Sequence, residues 1–108
     1  MAIRLVTLGG LRCLVDDVEN RELPGQPLRC ALLVYLALER EATRDTLLAL
    51  LWPDRETERG RHALSQTLYE LRRTLGEAWV DARADRLRVS PAVETDARAF
   101  EDAVAAED

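Results

Sequence analysis

The sequence contains no lysine; all 15 basic residues are arginine. Every chemistry built on a lysine amine is therefore excluded from these 108 residues, including a P-loop lysine, a Schiff base and a Ser-Lys dyad. No glycine-rich phosphate loop appears among the 5 glycines. Histidine occurs once, at His62, with no Cys or Ser partner at a recognisable catalytic spacing. Cysteine occurs twice, at Cys13 and Cys30, too sparse for a metal-ligand cluster. Both lie within apolar segments and read as small buried hydrophobes, with a disulfide or redox pair as the alternative. No apolar run approaches the roughly 18 residues of a membrane span. The start, Met1-Ala2-Ile3-Arg4-Leu5-Val6, lacks the charged-then-apolar order of a signal peptide. The expectation is a cytoplasmic protein that is not an enzyme and uses no metal, cofactor or membrane.

What is present is a chain with 47% hydrophobic residues spread evenly, enough for one domain with a modest core. The net charge of −5 argues on its face against a polyanionic partner. The six acids and one arginine of residues 91–108 account for all of it, leaving residues 1–90 balanced at 14 basic and 14 acidic groups. Residues 55–75 carry Arg55, Arg59, Arg61, Arg72 and Arg73 against Glu56, Glu58 and Glu70, a local excess of two positive charges. Binding responds to such local fields more than to the chain total.

Ile3–Leu8 and Leu11–Val15 read as a hairpin around Gly9-Gly10. Asp16-Asp17 and Glu19-Asn20 read as a further turn, and Arg21-Glu22-Leu23 as a short third strand before Pro24-Gly25. A helix is predicted from Pro27 to about Arg40, with Leu28, Ala31, Leu32, Tyr35, Leu36 and Leu38 near a 3.6-residue period and Leu33 and Val34 widening the stripe. Thr43 is the predicted N-cap of a second helix, Arg44–Leu51, ending at Trp52-Pro53. A third runs from Thr57 to Leu75, closed by Gly76. Val80–Ala82 and Leu87–Val89 form a hairpin around Ala84-Asp85-Arg86, and Asp96 caps a last helix through Phe100 towards Ala106. This order predicts an α+β fold: a winged helix-turn-helix with an N-terminal antiparallel sheet, three helices and a C-terminal hairpin as wing.

At about 100° per residue, Leu64, Leu68, Leu71 and Leu75 fall within about 60° of one another and define the inner face of the third helix. His62, Gln66 and Arg73 lie opposite, with Tyr69 and Arg59 close by; Arg61, Ser65 and Arg72 flank one side and Glu70 the other. Arginine offers a bidentate fork to guanine or phosphate, Gln66 can do the same for adenine, and Ser65, His62 and Tyr69 can reach a phosphate or base edge. The alternative is an ordinary solvated helix face. The hairpin carries Arg83, Arg86 and Arg88 against Asp81 and Asp85, either a wing touching DNA backbone or minor groove or a plain surface hairpin.

Several segments, taken in order, carry a family resemblance: Ile3-Arg4-Leu5 to Leu8-Gly9-Gly10, Leu23-Pro24, Ala31–Ala37, Leu50-Leu51-Trp52-Pro53-Asp54, Arg61–Gln66 with Leu68, Leu71–Gly76 and Asp96–Phe100. Over essentially its whole length the chain resembles the N-terminal region of SARP-type transcriptional activators, whose domain is related to the OmpR-type winged helix. The resemblance implies that residues 1–92 are the DNA-binding domain. Thr57–Leu75 would be the recognition helix in the major groove, and residues 80–89 the wing. Arg59, Arg61, His62, Ser65, Gln66, Tyr69, Arg72, Arg73 and Arg86 would contact DNA. Pro53, Asp54, Arg55 and Glu56 correspond to the loop through which such activators contact RNA polymerase. Residues 93–108 would open a helical bacterial activation domain, making the chain a fragment of a larger regulator. The implied partner is double-stranded promoter DNA with direct repeats, bound by two copies side by side. Ala63 and Glu70 depart from the family pattern, as does a wing turn without glycine. The competing reading keeps the fold as a protein-interaction or regulatory module of a multidomain signalling protein, without DNA contact.

Overall fold

In the computed structural model, which describes residues 2–7, 11–97 and 104, the alternation Ile3-Arg4-Leu5-Val6 forms strand β1 (Ile3–Val6), with Ile3 and Leu5 buried and Arg4 exposed. It pairs antiparallel with β2 (Arg12–Val15), which turns through Asp16 and Asp17 into β3 (Val18–Asn20). Both aspartates have positive φ, 52° and 68°, a conformation short polar side chains tolerate better than most. The third strand therefore precedes the predicted one. Glu19 and Asn20 are strand rather than turn, and Leu23–Gly25 is a single 3-10 turn. The Asn20 side chain sets that turn by accepting from the backbone N–H groups of Glu22 and Leu23 at 3.1 and 2.9 Å.

Helix α1 (Pro27–Glu39) starts on a proline whose missing N–H costs nothing there. Cys30, Leu32, Leu33, Leu36 and Ala37 are its buried residues. Leu28, expected within the apolar stripe, is instead 44% exposed. Arg40 ends the helix at φ 74°, and its Nη1 donates to the Val93 carbonyl at 2.8 Å while its own carbonyl accepts from Val89 N at 2.9 Å. A strand absent from the sequence reading, β4 (Glu41–Thr43), follows at once. Helix α2 (Arg44–Leu51) is capped by Thr43, whose Oγ1 accepts from Thr46 N at 3.1 Å. Helix α3 (Thr57–Leu75) ends at Gly76, whose φ 93° and ψ 162° suit glycine and few other residues.

Strands β5 (Val80–Arg83) and β6 (Arg86–Val89) form the predicted hairpin, and β4 adds to it in a three-stranded sheet of order β4-β6-β5. The positive φ of its turn falls on Ala84, at 51°, and not on Asp85. The chain then forms β7 (Val93–Thr95), which lies beyond the boundary expected at residue 92 and pairs parallel with β1. The N-terminal sheet, of order β3-β2-β1-β7, is thus mixed and not wholly antiparallel. The Asp96 carboxylate accepts from the N–H and hydroxyl of Thr7, both at 2.7 Å, and holds this junction. The expected Gly9-Gly10 turn lies outside the described residues. So does most of the expected last helix, of which Asp96, Ala97 and Val104 are described as helical.

The fold class is α+β, with three α-helices and seven strands in two sheets among the described residues. One core joins both sheets to the helices; Leu5, Leu32, Leu36, Leu47, Leu64, Leu71, Leu75, Leu87 and Val93 are all fully buried within it. No helix among the described residues is long and apolar enough to cross a membrane.

Candidate nucleic-acid interface

Helix α3 divides along its length. Leu64, Leu68, Leu71 and Leu75 are buried, as the four-leucine pattern predicts, and Gly60 extends that face by one turn. Each leucine taken from water contributes about 1.5–3 kcal/mol, which fixes the helix's rotation about its axis. Arg59, Arg61, His62, Ser65, Gln66, Tyr69 and Arg73 are consequently all exposed. Gly60 also sets the distance to α2: a Cβ built on it would meet Leu48 Cδ2 at 3.2 Å. Helices α2 and α3 thus pack as a close pair joined through residues 52–56, with one face of α3 open.

Beside that face lies a groove of about 540 Å³ between the first turn of α1 and the first half of α3, lined by Leu28, Trp52, Arg55, Arg59, His62 and Gln66 among others. Arg59, His62 and Gln66 are thereby brought together. Arg61 and Ser65 stand on the other flank, and Tyr69 continues the exposed surface towards the C-terminus with the Arg73 guanidinium 6.0 Å from its ring centre. Pro53, Asp54, Arg55 and Glu56 are all exposed in the connection, next to a smaller recess of about 210 Å³ that Asp45, Leu48 and Trp52 help to line.

Two candidate residues sit differently from expectation. Arg72 is half-buried; its Nε has no hydrogen-bond partner, and the nearest carboxylate oxygen, Glu77 Oε2, is 3.8 Å away, too far for one. Arg86 is exposed on β6 but lies 3.3 Å from Glu41 Oε1, while Arg88 approaches Glu41 Oε2 at 3.5 Å. Arg83 is paired with Asp81 at 3.0 Å. The hairpin arginines therefore all face carboxylates. Arg55, Arg59 and Arg61 have no ion-pair partner among the described residues, but neither do the exposed Asp54, Glu56 and Glu58 beside them, so the connection and the first turns of α3 carry unpaired charge of both signs in equal number.

Glu70, isolated in sequence as an acid on a basic face, is bracketed in space. Its Oε2 lies 3.8 Å from Arg29 Nη2 on α1 and 3.9 Å from Arg73 Nη1 on α3. Arg29 and Glu41 are the residues sequence reasoning missed. No helical or strand period marks them, because their importance comes from partners on other elements. Cys13 and Cys30 are both free and buried, and they line one apolar space between the N-terminal sheet and α1. Burial pushes the Cys13 thiol up to about 11, helped by the neighbouring Cys30, and burial raises the Cys30 thiol as well. Among the described residues no three His, Cys, Asp or Glu side chains group as metal ligands.

No protein-family model matches this chain, and no curated protein is significantly similar to it.

Proposed function

We propose that this chain is a winged helix-turn-helix domain, of the kind found at the N-terminus of SARP-type activators, that binds double-stranded promoter DNA and positions a bacterial transcriptional activator. The observation that carries this reading is the open face of α3. The longest helix of the fold buries four leucines behind it and presents Arg61, His62, Ser65, Gln66, Tyr69 and Arg73 to solvent. In a helix-turn-helix this second helix enters the major groove, with the first packed behind it. His62, Gln66 and Tyr69 would face base edges, Arg59, Arg61 and Arg73 the phosphates, and the β5–β6 hairpin with Arg86 the adjacent backbone or minor groove. Arg72, half-buried, has a lesser share. The exposed connection Pro53–Glu56 would face RNA polymerase, and two copies would bind direct repeats side by side in the cytoplasm.

A second reading, a protein-interaction module without DNA contact, is favoured by the pairing of the hairpin arginines with Asp81 and Glu41 and of Arg72 with Glu77. Selection from a randomised duplex pool followed by fluorescence anisotropy separates the two. About four phosphate contacts should give a plot of log affinity against log salt with a slope of roughly −3 to −4. Arg73→Ala and Arg61→Ala should each flatten it by about one. Absence of duplex binding at low salt, or binding indifferent to both substitutions, would leave the interaction-module reading in its place.

A further inference from the structure

We infer that Arg29, on α1, is a DNA-phosphate contact and that Glu70 is the positioning residue that holds Arg29 and Arg73 on either side of its carboxylate. This rests on the DNA-binding reading of α3 and extends that surface onto a second helix. A helix seated in the major groove, about 12 Å wide, runs between two rows of phosphates and needs positive charge on both flanks. One flank of α3 has it in Arg61 and Arg72. Glu70 lies nine positions after Arg61, so at about 100° per residue the two stand on opposite flanks. Along the C-terminal half of the second flank α3 therefore supplies an acid, and a bare carboxylate there would repel the backbone.

The neighbouring helix changes the sign. Arg29 and Arg73 approach the same oxygen of Glu70, at 3.8 and 3.9 Å, so the three side chains together carry one net positive charge. Those distances exceed hydrogen-bond length, and Arg29 makes no hydrogen bond among the described residues. Its guanidinium donors are thus free for a phosphate. The Arg29 side chain is 35% exposed and the Glu70 side chain 23%, so both reach solvent and a phosphate can approach the arginine. Tyr69 limits Arg73 from the other side, its ring centre 6.0 Å from the guanidinium carbon.

The test uses the 108-residue chain, a duplex enriched from a randomised pool and a scrambled duplex of the same composition. Arg29→Ala should weaken both complexes on the order of tenfold at low salt and flatten the salt slope by about one, whereas Arg29→Lys should keep the slope. Glu70→Gln should strengthen binding to the scrambled duplex and lower the ratio of enriched to scrambled affinity. A salt slope unchanged by Arg29→Ala overturns the phosphate contact. A Glu70→Gln protein that gains equally on both duplexes overturns the positioning role, leaving simple repulsion. Phosphate-ethylation interference on the unmodified protein needs no variant: interference on both strands across the groove is expected, and interference on one strand alone overturns the assignment. Failure of the unmodified chain to bind either duplex would instead sink the underlying DNA-binding reading.

Discussion

Gly60 is where the pose of the candidate interface can be perturbed most directly. It is buried in the first half of α3, and a methyl group there would sit 3.2 Å from Leu48 Cδ2 and 4.0 Å from Trp52 Cβ. Two effects of Gly60→Ala oppose each other. Alanine favours the helix over glycine by about 1 kcal/mol. Against this, 3.2 Å is shorter than the optimal carbon separation of about 3.5–4.0 Å. The obstructing atom is the end of a half-buried leucine on the eight-residue helix α2, which can yield by a few tenths of an ångström. The expected outcome is a protein between unchanged and about 1 kcal/mol more stable, with a melting temperature raised by no more than about 4–8 °C. Gly60→Val adds two methyl groups beyond that Cβ and drives them at Leu48 and Trp52. Overpacking of this kind costs about 1–3 kcal/mol, and relief requires α3 to move away from α2. Urea unfolding followed by circular dichroism measures both variants, and duplex binding in the same preparations reports the helix pose. Gly60→Ala should bind as the unmodified chain does, while Gly60→Val should lose affinity even where it remains folded. If Gly60→Ala destabilises by more than about 1 kcal/mol, or Gly60→Val melts like the unmodified protein, the close approach of α2 and α3 does not have the consequence assigned to it.

Thr43→Ala removes the oxygen that accepts from Thr46 N and should cost about 1 kcal/mol. Thr43→Ser should keep most of it, and equal melting temperatures for all three proteins would show that the cap contributes nothing. The buried thiols give an alkaline signature. In the folded chain Cys13 keeps its proton up to about pH 11, whereas the unfolded chain releases it near pH 9. The folded state therefore binds more protons between these limits, and stability falls as pH rises from about 9 to 11. Cys13→Ala should flatten that decline whatever it does to stability at neutral pH, and an unaltered slope would refute the assignment.

Much of the fold is legible in the sequence wherever one element carries its own signal. Thr43 ahead of the Leu47–Leu51 apolar run, Pro27 at a helix start, four leucines at helical spacing and Gly76 after them each specify a local geometry that packing leaves intact. The third strand is displaced because Asp16 and Asp17 make a tight turn of their own, which brings the pairing forward to Val18–Asn20. Strands β4 and β7 escape notice for a different reason. Each is three residues long, too short for an alternation to show, and each exists through a partner far away in sequence: Ala42 opposite Leu87, and Ile3 opposite Val93.

The same division governs the candidate interface. Periodicity tells which side chains of α3 point outward, since that depends only on the leucines opposite them. It says nothing about what stands beside those side chains, and charge depends on the neighbours. The window 55–75 has two excess positive charges when counted along the chain. In space Glu77 lies against Arg72, while Arg29 joins Glu70 and Arg73 from another helix. On the hairpin, Glu41 of β4 pairs with Arg88 directly across on β6 and with Arg86 diagonally. Such exposed pairs are individually worth little to stability, on the order of 0–1 kcal/mol. Their effect on a polyanion is larger, because a phosphate responds to the summed field of the cluster and not to one residue. The connection offers no such excess, because Asp54, Glu56 and Glu58 stand exposed beside Arg55, Arg59 and Arg61; the cluster in which Arg29 joins Glu70 and Arg73 keeps one net positive charge, on the flank where α3 alone would present an acid.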